Sequence, residues 1–565
     1  MKSSFNLKTA SAIIFVILAG CTPLAGRLQK DPAGPSSLAV GEMVPATATP
    51  FKPLPTATVT PTPTEPPEIP VWIPEWIPEQ LSSAIDLKYP YIDAENESDS
   101  MIRISLYEVD SPDFTWVYAL VAPFPTIRDD ISSEELRGVW SGTSDSSYQI
   151  LVDESTLGVF KAKWGDPELD KVRVVIPETM LDTAWAEKYT LALIPFEEIS
   201  PRWKVLRVDG LSPLDGSLDL VQYPLVARFN WEGRIPIGQG KVGQLRDAGY
   251  PTTNRDEGKL TRILLTGTTA LVRLTAERME TKGIDYPIGD ILPWLLDADF
   301  THISNEISFY DQCPPASPER LGTRFCSNPD YIELLDLIEV DVVELTGNHL
   351  IDYGRKSFSS TLEMYEERGI QTYGGGANLS EAIEPLIIEH HGNRIAFLGC
   401  NRAGPESVWA TDDRAGAAPC DLDRMASDIQ NLLDEGILPI VTFQHYELED
   451  FLPITLARQE MQQMAEAGAV VVSGSQAHFP HGFTFVGDNF VHYGLGNLFF
   501  DQMWPNHRRE FLDRHVFYDG RYLGVEVMTA MLEDYARPRP MTLDERTKML
   551  TTYFEVSGWQ ISDKD

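Results

Sequence analysis

Residues 340–354 read VDVVELTGNHLIDYG, a short β-branched run that ends in a polar cluster holding Asn348, His349 and Asp352. Runs of this kind, bounded by turn residues, suit buried strands. The same pattern recurs on either side: ILLTG at 263–267, DFTHISNEISF at 299–309, GNRIAFLGCN at 392–401, ILPIVTFQHYELE at 437–449 and AGAVVVSGSQAHF at 467–479. Helix-like stretches such as LVRLTAERMETKG (271–283) lie between them. Strands alternating with helices predict an α/β fold. Polar groups that follow successive strands collect on one rim, so the Asn and His residues there form a candidate site.

Working outward, a Gly-rich, charged break falls near residues 232–258. Before it, strand-like TWVYALVAPF and KVRVVIP alternate with helix-like SSEELRGVW and PETMLDTAWAEK, which predicts a smaller α/β domain over 71–250. Its later part, TLALIPFEEISPRWKVLRVDGLSPLDGSLDLVQYPLVAR, resembles a segment of phosphate-type periplasmic solute-binding proteins. Two readings stay open there: a working solute receptor, or a domain of that ancestry that binds no solute. Beyond 505, residues 506–565 are predicted to form a C-terminal cap.

The N-terminus reads as an export signal. Lys2 and Lys8 flank a positive region, and the apolar run from Ala10 to Leu18 is shorter than the about 20 residues a spanning helix needs. It closes on Leu18-Ala19-Gly20-Cys21, which looks like a lipobox, with an ordinary signal and a chance cysteine as the alternative. Two acyl chains on Cys21 would anchor the chain stably at the extracytoplasmic face of the cell membrane. Residues 22–70 follow as a stalk whose Pro/Thr-rich part cannot bury a core.

The chain has 565 residues, a formal charge of −38, and 43% hydrophobic residues, enough for more than one domain. That charge argues against nucleic acid and against adhesion to an anionic bilayer surface. With Cys21 assigned to lipid, Cys313, Cys326, Cys400 and Cys420 remain. In an oxidising compartment they suggest two disulfides, with the sequence-local pairs favoured over the other connectivities and over a zinc site.

From about Arg262 to Gln502 the blocks resemble, in order, those of the CapA-type capsule and poly-γ-glutamate synthesis proteins, grouped with calcineurin-like metallophosphoesterases. The family's Asn-Leu-Glu appears as Ser304-Asn305-Glu306, and its Asn-Asn-His as Gly347-Asn348-His349, followed by Asp352 and Gly354. Its His-Trp-Gly-x-Glu block appears as His445 to Glu449, its Gly-His-His-Pro-His block as Gly474 to His478, and its Ser-Leu-Gly-Asn-Phe block as Gly494 to Leu498. The resemblance implies a four-layer α/β/β/α sandwich over 258–505 with a metal centre at the strand ends. It implies Glu306, Asn348, His445 and His478 as ligands of a divalent manganese, iron or zinc ion, His349 as general acid, and Asp352 as the group that orients it.

Departures from the pattern weigh against a full two-metal centre. Gly267-Thr268-Thr269-Ala270 lacks the family's opening aspartate, and Ser475 and Gln476 replace two histidines. One ion or none is therefore expected. Three functions follow: a metal-dependent hydrolase handling an anionic or glycan extracellular polymer, a non-catalytic surface binding or scaffold protein, or a solute receptor centred on the N-terminal domain.

Overall fold

The computed structural model describes residues 65–107, 111–234, 241–317 and 322–563. The expected signal, Cys21 and nearly all of the 22–70 stalk lie outside the described residues. Among the described residues no helix is long and apolar enough to cross a membrane.

Residues 69–233 build a mixed ten-stranded sheet. Its centre is Phe114–Pro123, hydrogen-bonded antiparallel to Thr190–Pro195 on one side and, in succession along its length, to Val226–Gly233 and Trp203–Val208 on the other. Nine of the ten residues of Phe114–Pro123 are buried, as a central strand covered on both faces requires. Helices Ser133–Trp140, Glu154–Trp164 and Pro177–Ala186 bury their apolar residues against this sheet.

Two further sheets follow. The first is eight-stranded and centres on the order Val340–Glu344, Phe300–Asn305, Leu260–Thr266, Arg509–Tyr518, Arg521–Glu533. The second is six-stranded and centres on Asn393–Asn401, Leu438–Gln444 and Val471–Ser473, all parallel. Side chains alternate between the faces of a strand, and the alternation separates the layers. Leu264, Ile303 and Val343 pack with helical Met279, Phe358 and Tyr365, while their neighbours Ile263 and Val342 meet Ile440, Val471 and Phe490 of the other sheet. On the far side, Val441, Val472 and Val491 meet Met425, Ile429 and Met461 of helices Leu422–Asp434 and Thr455–Glu466. The result is a four-layer α/β/β/α sandwich.

Residues 506–565, expected as a cap, enter the sandwich itself. Arg509–Tyr518 pairs along its length with Leu260–Thr266, and Arg521–Glu533 pairs with Arg509–Tyr518. Both strands mix charged residues with apolar ones, and two of the charged residues find partners: Arg514 pairs with Glu526 on the neighbouring strand, and Asp513 with His492 of the facing sheet. Only the helix Leu543–Val556, started by a Thr542/Glu545 capping box, closes over the strands, burying Met549, Leu550, Tyr553 and Phe554. Disulfides join Cys313 to Cys326 and Cys400 to Cys420, the two sequence-local pairs.

Candidate metal centre

The residues that follow strands Phe300–Asn305, Val340–Glu344, Leu438–Gln444 and Val471–Ser473 converge at one end of the sandwich. Glu306 follows the first directly, and its backbone N–H donates to the Thr269 carbonyl at 3.0 Å. Its side chain is 1% exposed, and neither carboxylate oxygen has a hydrogen-bond partner among the described residues. Gly347, after the second strand, lets the next segment lie directly on Glu306: a Cβ there would fall 2.4 Å from the Glu306 carbonyl oxygen. The segment carries Asn348, whose buried side-chain oxygen is also unpartnered.

His478 approaches from the fourth strand. Its Nδ1–H donates to the Asn497 side-chain oxygen at 2.7 Å, which turns Nε2 toward two carboxylates, 3.6 Å from Glu306 and 3.6 Å from Glu447. Ligand atoms of Glu306, Glu447 and His478 all lie within 4.8 Å of one another. Burial opposes charge on His478, but the neighbouring Glu306 and Glu447 outweigh it and push its pKa up to about 9. In turn His478, with His349 and Arg273, holds the buried Glu306 below the ordinary carboxylate value despite its desolvation.

His349 stands beside this cluster, its Nδ1 held at 2.8 Å by the Asp352 carboxylate. That carboxylate also accepts the Phe325 N–H at 2.8 Å, and the Phe325 ring meets the imidazole edge-on at 4.5 Å. Burial works against the charged imidazole, yet Asp352 and Glu306 together raise its pKa above the usual value. A groove of about 530 Å³ runs alongside, lined by Arg273, Arg324, Phe325, Tyr353 and the Cys313–Cys326 bridge.

His445 does not join the cluster. Its Nε2 bonds the Glu460 carboxylate at 2.9 Å and its Nδ1 accepts the Tyr446 N–H at 2.8 Å, so neither nitrogen keeps a free lone pair. Glu460 is at the same time gripped by Arg402 at 2.9 Å. Of the ligand set expected from sequence, the structure brings Glu306 and His478 together and leaves His445 apart, while Glu447, two residues along the same loop, reaches His478. The only signal for it was a second carboxylate in HYELE.

Comparison with known sequences locates this site in a recognised group. The profile of the bacterial capsule synthesis protein PGA_cap matches residues 262–502, which hold every residue of the cluster. Residues 262–502 belong to the PGA_cap family. The capsule biosynthesis protein CapA of Bacillus anthracis is 23% identical over 305 residues, covering 53% of this chain and 74% of that relative. The PGA biosynthesis protein CapA of Bacillus subtilis is 23% identical over 232 residues, covering 40% of this chain and 60% of that relative. Likeness to solved structures is shallow. A novel phosphatase from Mycoplasma pneumoniae aligns over 48% of this chain and 94% of that chain at 10% identity with a TM-score of 0.31. An ABC-type phosphate transport receptor from Vibrio cholerae aligns over 27% and 75% at 11% identity with a TM-score of 0.23.

Within the PGA_cap domain the three departures from the family pattern have structural consequences. Thr268 hydrogen-bonds the Ser475 carbonyl at 3.4 Å, and the Ser475 hydroxyl donates to Glu344, a fully buried carboxylate. Desolvation raises the Glu344 pKa. Serine and threonine here tie strand ends together, where aspartate and histidine would offer ligands. Gln476 is fully buried with both amide atoms unpartnered.

Proposed function

We propose that the PGA_cap domain holds one divalent cation between Glu306, Glu447 and His478. On this reading it carries out hydrolysis or transfer at a phosphoryl, ester or amide bond during the making, export or attachment of an extracellular polymer. The observation that carries the reading is the Glu306 carboxylate, 1% exposed, without a hydrogen-bond partner among the described residues, and 3.6 Å from Nε2 of His478. A buried, ionised carboxylate is costly unless a positive charge neutralises it.

The donors fit such an ion. Two carboxylates, one imidazole nitrogen and the amide oxygen of Asn348 form a set suited to manganese, iron or zinc. The Asn497 oxygen fixes the ring of His478 as a ligand requires. When bound, such an ion polarises a phosphoryl or acyl oxygen and makes a water more acidic. His349 carries the proton: Asp352 holds its Nδ1–H, so Nε2 is left to protonate a leaving group. Phe325 packs on the same ring and keeps water off that side. The names of the Bacillus relatives, capsule and PGA biosynthesis, support a polymer as the substrate.

In the same reading, Cys21 carries the lipid anchor and the domain works outside the cytoplasmic membrane, which the two disulfides support.

Elemental analysis of the purified protein tests the centre. One equivalent of manganese, iron or zinc is expected, with affinity reduced at least about tenfold in Glu306→Gln and His478→Ala. No metal after incubation with each ion would sink the hydrolase reading and leave a binding or scaffold role.

A further inference from the structure

Away from the metal centre, a cavity of about 380 Å³ lies between strand Trp203–Val208 of the N-terminal sheet and strand Arg521–Glu533 of the sandwich. The helix Leu543–Val556 contributes to its wall through Arg546, Leu550 and Phe554. Its size is within the range of small-molecule sites, roughly 300–1,000 Å³. Much of the wall is apolar, with Trp203, Trp294, Leu523, Val527 and Phe554 among the lining residues.

The charges on the wall are not equally spent. Lys204 donates to the Thr126 carbonyl at 2.7 Å and pairs with Asp129 at 2.7 Å. Arg546 grips Asp129 with two bonds, at 2.7 and 2.8 Å. Arg207 grips Asp215 at 3.0 and 2.7 Å. Arg514 differs. It is 4% exposed, and only its Nη1 meets carboxylates, Asp297 at 3.1 Å and Glu526 at 3.2 Å. Among the described residues its Nη2 meets nothing better than the Met528 sulfur at 3.7 Å, and its Nε, which has almost no accessible surface, has no partner.

Nε is enclosed by protein, which leaves Nη2 as the guanidinium donor still without an oxygen, and a charge-assisted bond to a carboxylate would satisfy it. A buried charged donor without an oxygen acceptor is costly, and both Arg514 and Met528 line the cavity. We propose that this cavity is a binding site for a small amphipathic carboxylate, its anionic head on Nη2 of Arg514 and its apolar body among Trp203, Trp294 and Phe554. The site is separate from the metal centre and joins the N-terminal domain to the sandwich, so an occupant would report on the contact between them.

Isothermal titration calorimetry with 4-phenylbutyrate, its neutral amide and inorganic phosphate tests the assignment. Saturable binding of 4-phenylbutyrate is expected, at least about tenfold tighter than the amide or phosphate, the gap that one lost charged contact of about 1.4 kcal/mol produces. Met528→Trp, which fills the cavity without touching the Arg514 ion pairs to Asp297 and Glu526, should abolish binding and leave metal content unchanged. Arg514→Gln should weaken it, and Met528→Trp keeps the test open if that variant does not fold. Equal binding of the amide, binding of phosphate alone, no binding at all, or undiminished binding in a folded Met528→Trp protein would each overturn the proposal.

Discussion

The orientation of single side chains decides what the centre can hold. His478 is a candidate ligand because the Asn497 oxygen accepts its Nδ1–H, and His445 stands apart because Glu460 and the Tyr446 N–H occupy both of its nitrogens. Two substitutions separate these roles. Asn497→Leu should weaken metal affinity by about 10–100-fold, as loss of an orienting partner does, although the ligand atoms remain. His445→Ala should leave metal affinity within about twofold, well short of that range, yet lower stability because Glu460 loses a buried partner. Metal titration followed by thermal melting reads both; a large affinity loss in His445→Ala would return that residue to the ligand set.

Among the elements, the close approach of the segment after Val340–Glu344 to Glu306 is the tightest constraint on the site. Gly347→Ala would drive a methyl group into the Glu306 backbone, and overpacking of this kind costs about 1–3 kcal/mol. Chemical denaturation should show that loss, together with weakened metal binding, since Asn348 and Glu306 would move apart. The Cys400–Cys420 bridge closes the connection from Asn393–Asn401 to helix Leu422–Asp434 over a separation of 20 residues. Loops of that length gain about 3 kcal/mol from closure. A Cys400→Ala/Cys420→Ala protein should unfold at correspondingly lower denaturant, and an unchanged midpoint would show that the bridge stabilises nothing.

Across the whole molecule, the N-terminal sheet and the sandwich share one apolar interior. Phe124, at the end of the N-terminal sheet's central strand, packs within 6.0 Å of the rings of Phe483, Phe490, Phe554 and Trp559. At the other end of the chain, Asp563 accepts the N–H groups of Ile127 and Arg128 at 2.8 Å. Phe124→Ala should therefore cost about 3–5 kcal/mol, and calorimetry should show both regions melting in one transition. Two separate transitions would contradict the shared core. Acid should also weaken the whole. Burial lowers His302 to about 3 and His515 to about 4, so both are neutral when folded but take up protons in the unfolded chain. Their contribution is complete above the unfolded value of about 6.5 and is lost as pH falls toward 4. The melting temperature should drop over that interval, and His515→Gln should flatten the drop.

Much of this architecture was legible in the residues themselves. Short β-branched runs ending in polar clusters are local signals that point to an α/β fold with a polar rim, and the resemblance of those blocks to the CapA-type family implied the sandwich, Glu306, Asn348 and His478 as ligands, and the His349–Asp352 pair. The cysteines pair over short separations for the same reason. What the sequence could not show depends on contacts between distant segments. His445 is captured by a glutamate on the following helix, so Glu447 takes its place beside His478. The strands Arg509–Tyr518 and Arg521–Glu533 look too charged for the middle of a sheet until Asp297, Glu526 and His492 are brought beside them. The Nη2 of Arg514 lies at a cavity only because folding sets its strand against the N-terminal domain. Spacing along the chain determines which groups share a loop, but the partner that satisfies each buried charge is chosen by the packing of one layer on another.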